Sequence, residues 1–156
     1  MMKAAVLLAV AAGFSVAQIQ PTALAGAWRI EEDITTGSVA RTIKDPQPGL
    51  YLFTGKHYSM LYIDSGNPRP ETKPGSSDSE LVASWRPVQA QSGTYEISGT
   101  TLTVHPVVAK ETGAMTPGSY FKYSFKLEGS TLELTQIGSS RGPAAHPWTR
   151  RFKRIE

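Results

Sequence analysis

From residue 24 onward, apolar and polar residues alternate with a period of two through most of the chain, and Gly, Pro and Ser clusters interrupt the runs. This pattern predicts strands over about 25–32, 50–54, 57–64, 93–98, 101–109, 120–128, 131–137 and 148–155. Trp28 and Ile30 share one face of the first. In the third, Tyr58, Met60 and Tyr62 share a face, against His57, Ser59, Leu61 and Ile63. The last strand puts Trp148, Arg150, Phe152 and Arg154 together. Ser98-Gly99-Thr100 and Glu128-Gly129-Ser130 read as tight turns that make their flanking strands antiparallel. Residues 64–77 form a polar loop, and Ser77-Asp78-Ser79-Glu80 is a capping box opening one helix over about 78–90. Leu81, Val82, Trp85 and Val88 form that helix's apolar stripe, and Pro87 kinks or shortens it. The helix is expected to lid the mouth of a barrel, or to pack outside it or across one end. The fold class is all-β: an eight-stranded antiparallel up-and-down barrel with one short helix. Eight strands close around an interior that is either filled by side chains or holds one small ligand.

The first residues change the picture of the compartment. Met1-Met2-Lys3, an apolar run from Ala4 to Phe14 and the small-x-small Ser15-Val16-Ala17 have the form of a signal peptide over 1–17. The barrel domain is then 18–156, secreted or periplasmic. No second apolar segment is expected to insert stably in a membrane. Of 16 Lys and Arg, Lys3 lies in the leader, so the domain carries 15 basic against 13 acidic residues. That balance is too even to argue for a nucleic-acid partner. The chain has no cysteine, so the core must hold without disulfides. A monomer is expected.

Several segments resemble the lipocalin-like domain proteins of bacteria and fungi, of the calycin type. They are Leu24-Ala25-Gly26-Ala27-Trp28-Arg29-Ile30, the Pro48–Ser59 segment, Ser92-Gly93-Thr94-Tyr95-Glu96-Ile97, Leu102-Thr103-Val104-His105 and Phe125–Leu134. The resemblance implies a barrel for an apolar ligand. It also implies that Trp28 plugs the closed end with Arg150 or Arg154 stacked over it. The chain departs from the pattern in lacking a disulfide pair and in the long segment 64–91.

Tyr58, Met60, Tyr62, Tyr95, Phe121, Tyr123 and Phe125 are the candidate lining of a ligand cavity. Aromatic and thioether walls with a few hydroxyls suit a flat apolar molecule. The competing reading is that they fill the barrel. His105, with Glu96 as orienter, is the candidate acid/base if the barrel is an isomerase or cyclase for an apolar substrate. His57, His105 and His146 lack metal spacing, and the glycines lack the Lys-Ser/Thr of a phosphate loop, so no metal or cofactor is expected. The leading reading is a carrier of a small hydrophobic molecule. The alternatives are the enzyme and a filled barrel acting through its surface, the last favoured by an exposed apolar patch around Trp85 or Trp148.

Overall fold

The structure, a computed structural model, describes residues 21–156. The expected leader over 1–17 lies outside them. A 3-10 turn, Pro21–Leu24, leads into β1 (Gly26–Thr35), then β2 (Arg41–Lys44), β3 (Gly49–Phe53) and β4 (His57–Ile63). Helix α1 (Asp78–Trp85) separates these from β5 (Val88–Ser98), β6 (Thr101–Ala109), β7 (Phe121–Glu128), β8 (Thr131–Ser139), β9 (Gly142–Pro143) and β10 (Trp148–Arg154). All described strand pairs are antiparallel. Seven strands run β1-β3-β4-β5-β6-β7-β8, and an eighth, β10, pairs with both β8 and β1 to close the ring. The up-and-down barrel expected from the alternation is what forms.

The strands missing from the sequence reading are the two short ribs. β2 pairs with the far half of β1, and β9 folds back on β8. Neither is long enough to show alternation. The helix also differs from expectation: it ends at Trp85, and residues expected in its last turns belong to β5. Pro87 has no N–H to extend a helix, and the chain turns extended directly after it. The capping box forms as predicted. Glu80 N–H donates to Ser77 Oγ at 3.4 Å, and Ser77 N–H donates to Glu80 Oε2 at 2.7 Å. These bonds lower the Glu80 pKa below the usual carboxylate value.

One interior cluster is built from the inward row of every barrel strand, including Trp28, Tyr51, Phe53, Leu102, Val104, Leu132, Leu134 and Phe152. The interior is graded along its axis. The Trp28 end is apolar. Toward the opposite end, the mouth, the register places Gln89 and Gln91 opposite Tyr62 and Met60, Gln136 beside Tyr123, and Asp33 against Arg150.

Two irregularities aim residues. The β1–β10 register shifts between Ile30 and Glu32, and this turns Asp33 inward, where it is buried. On β6 a bulge lies next to Pro106, opposite the Ser92/Gly93 step of β5. A Cβ on Gly93 would overlap the His105 carbonyl oxygen. Gly93→Ala should therefore lower the unfolding free energy by about 1–3 kcal/mol, the scale of an overpacked site, read as a shift in the denaturant midpoint with unchanged slope.

Candidate functional site

The Trp28 end is closed by contacts from both ends of the described chain. Trp28 is fully buried, and its Nε1–H donates to the Leu24 carbonyl at 2.8 Å. The Arg154 guanidinium lies 4.3 Å above the indole ring and donates to the carbonyls of Ala25 at 2.6 Å and Ala23 at 2.7 Å. Arg154, rather than Arg150, is thus the arginine over the plug. The closed end of this eight-stranded barrel thus has the arrangement that the lipocalin-like resemblance implies. The decision between the two arginines was open in the sequence because both occupy the same face of β10.

Arg150 instead enters the interior. It is 3% exposed. Its Nε–H donates to Asp33 Oδ2 at 2.8 Å, and Nη1–H donates to the Tyr51 hydroxyl at 3.0 Å. Its guanidinium is sandwiched between the rings of Tyr62 (3.8 Å) and Trp148 (4.2 Å). Burial penalises its charge, but Tyr51, Tyr62 and Asp33 outweigh that penalty and hold it protonated, well above its ordinary value. This network was not found by sequence reasoning. Its one sequence signal is an arginine on the apolar face of a strand.

All seven candidate lining residues converge. Tyr58, Met60, Tyr95, Tyr123 and Phe125 are buried in the interior cluster, and Tyr62 and Phe121 pack against it half-buried. Their hydroxyls differ. Tyr95 donates to the Thr54 carbonyl at 2.5 Å. The Tyr58 hydroxyl is buried with no hydrogen-bond partner among the described residues. Burial raises the pKa of Tyr58 and Tyr123, and neighbouring Tyr51, Tyr62 and Tyr58 raise Tyr123 further. The Tyr58 and Tyr123 phenols therefore stay neutral in the ordinary pH range.

His105 and Glu96 do meet, with Nε2 3.6 Å from Oε1. Their side chains are 44% and 71% exposed, however, and the Thr94–His105 and Glu96–Thr103 pairs lie on the outer face. The bulge at Pro106 leaves His105 on that face. An acid/base inside the barrel is not what this imidazole provides.

An open space of ligand size lies outside the barrel wall. A groove of about 1100 Å³ runs along β1, β3 and β4 under the 64–77 loop and α1. Leu50, Leu61, Ile63, Pro48 and Trp85 give it an apolar lining, and Arg29, Glu31 and Arg69 mark its rim. Leu50 and Leu61 are cross-strand partners on the outer face. Helix α1 packs loosely: none of its residues is buried, and Trp85 is 57% exposed. A second hollow of about 480 Å³ lies against Leu81, Val82 and Trp85, beside Arg86 and Lys110. The apolar lining of that hollow is the exposed face of the helix itself. Among the described residues no cluster of three or more His, Asp or Glu could hold a metal ion, and no helix is long and apolar enough to cross a membrane.

No family model matches the chain, and no curated protein matches it. Two crystal structures are similar to it. One is a lipocalin-like protein from Bacteroides uniformis, at 16% identity and TM-score 0.48, covering 85% of this chain and 99% of that one. The other is an uncharacterized protein from Bacteroides eggerthii, at 10% identity and TM-score 0.46, with the same coverage.

Proposed function

We propose that this protein binds a small apolar molecule, and that the molecule sits on the outer wall of the barrel, in the groove beneath α1. The observation that carries this reading is Trp85. A large aromatic side chain stands more than half exposed over a space of ligand size, whose floor is the exposed pair Leu50 and Leu61. The barrel interior is the scaffold, since its candidate lining is already packed side chain against side chain. Burial of apolar area drives binding, and the charged rim of Arg29, Glu31 and Arg69 keeps the groove wetted when empty. The leader-like residues 1–17 support export to the periplasm or the medium.

A second reading keeps the ligand inside. It is favoured by the partnerless Tyr58 hydroxyl, which a ligand acceptor would satisfy. The two separate in one titration with 8-anilinonaphthalene-1-sulfonate, followed by its fluorescence. Trp85→Ala should weaken binding about tenfold, the effect of losing about 55 Å² of indole cover at about 25 cal/mol per Å². Tyr58→Phe should leave binding unchanged. Loss in Tyr58→Phe with Trp85→Ala unaffected would move the ligand into the barrel.

A further inference from the structure

We infer that Lys110 is the positioning residue of the groove: its ammonium ties the end of α1 to the barrel and so sets Trp85 over Leu50 and Leu61. The inference rests on the reading of the groove given above, and adds what holds its aromatic wall in place.

Residues 64–87 leave the barrel after β4 and return to it at β5. The two ends are pinned to each other: Ile63 pairs with Val88, and the Asp64 N–H donates to the Pro87 carbonyl at 2.7 Å. Between them lie a mostly exposed loop and α1, none of whose residues is buried. The capping box at the start of α1 is internal, joining Ser77 to Glu80. Among the described residues, a single hydrogen bond joins the 65–86 stretch to the barrel. Lys110 Nζ–H donates to the Arg86 carbonyl at 2.6 Å.

Lys110 is well placed to hold that carbonyl. Its backbone is fixed, since its N–H donates to the Ala90 carbonyl of β5 at 2.8 Å. Its side chain is only 16% exposed, with the stem beside Leu81, Val82 and Trp85. The last turn of α1 has no basic residue of its own. The final carbonyls of a helix lack partners within it and carry partial negative charge, so a cation there gains a hydrogen bond and the dipole together. The rival partner, Glu111, has its nearest oxygen 3.9 Å from the ammonium, too far for a hydrogen bond.

The tie lands one residue from the indole. Trp85 ends α1 and Arg86 caps it, so holding the Arg86 carbonyl fixes the backbone that carries the ring. Trp85 faces Leu50 and Leu61 across the groove and Lys110 in the neighbouring hollow. The indole is more than half exposed, so packing holds it weakly and the tie decides where it stands. Without the tie, α1 keeps its cap but swings about the pinned ends at Asp64 and Pro87. The fraction of molecules with Trp85 over the groove then falls, and apparent affinity falls with that fraction.

The test uses N-phenyl-1-naphthylamine, an uncharged apolar fluorophore, so that a charge lost at residue 110 does not act on the probe directly. Lys110→Met keeps the stem and removes the donor. It should weaken binding about fivefold, the scale of one hydrogen bond. Lys110→Arg supplies a donor again and should bind within about twofold of wild type. Trp85→Ala should weaken binding about tenfold, and adding Lys110→Met to it should cause no further loss, because Lys110 acts through the indole. A second readout needs no ligand. Acrylamide quenching of tryptophan emission should steepen in Lys110→Met, and the change should disappear when Trp85→Phe is added. Wild-type binding by Lys110→Met beside a weakened Trp85→Ala would overturn the inference, as would additive losses in the double variant. Probe binding indifferent to Trp85→Ala would remove the groove reading, and with it the part of Lys110 in binding. The quenching slope still decides whether Lys110 places the indole: steeper in Lys110→Met, the tie stands; unchanged, it falls.

Discussion

Replacing Arg150 with glutamine lowers the unfolding free energy by about 3–5 kcal/mol, because it leaves Asp33 as a buried carboxylate without its partner. The cost comes mainly from the charge left behind, rather than from the strength of the bond removed. Taking away both charges should therefore be gentler than taking away one. The double variant Asp33→Asn, Arg150→Gln is expected to recover a substantial part of the loss, measured by urea denaturation of the two single variants and the pair. A double variant as unstable as the sum of the singles would show that Arg150 acts through its stacking between Tyr62 and Trp148, and not through its charge.

Trp28→Ala should cost about 3–5 kcal/mol, the range for deleting a large buried aromatic. Three terms point the same way. The indole is fully buried, its N–H satisfies the Leu24 carbonyl, and its ring is the platform for Arg154. Trp28→Phe keeps most of the area and the platform but leaves the Leu24 carbonyl unpaired. It should cost about 1–3 kcal/mol. Thermal melts of the two variants give the order. A phenylalanine variant as damaged as the alanine one would place most of the effect in the single hydrogen bond.

Period-two alternation carried most of this fold. It located all eight barrel strands, because each has one face in the core and one in water. The turns at Gly99 and Gly129 were legible because both need a left-handed residue, with φ of +58° and +57°. The seven inward aromatic and Met positions followed from the same parity. What the sequence left unread lay outside that parity. β2 and β9 are too short to alternate. The end of the helix hid Val88, whose apolar side chain fits a helical stripe and a strand equally well; in the fold it is buried on β5. The Asp33–Arg150 pair depends on a one-residue slip in β1, which no local pattern announces. Parity placed Arg150 and Arg154 together, and only the three-dimensional position of Trp28 separates their roles. The outer groove was invisible for another reason. It is made by a loop and a helix resting near a wall whose exposed leucines look, in sequence, like ordinary strand residues.

The ring closes where the beginning of the described chain meets its end: Ile155 N–H bonds the Ala27 carbonyl, and Trp28 pairs in register with Arg154. This sets an order on folding. β1 and β3 are neighbours early in synthesis, and β7 and β8 pair late, yet β1 and β8 each keep an unpaired edge until the last strand is made. The final seam spans almost the whole described sequence, the largest loop this chain can close. A nascent chain therefore carries the open edge of β1 for nearly all of its synthesis and that of β8 for its last stretch, and both are covered in a single step by β10.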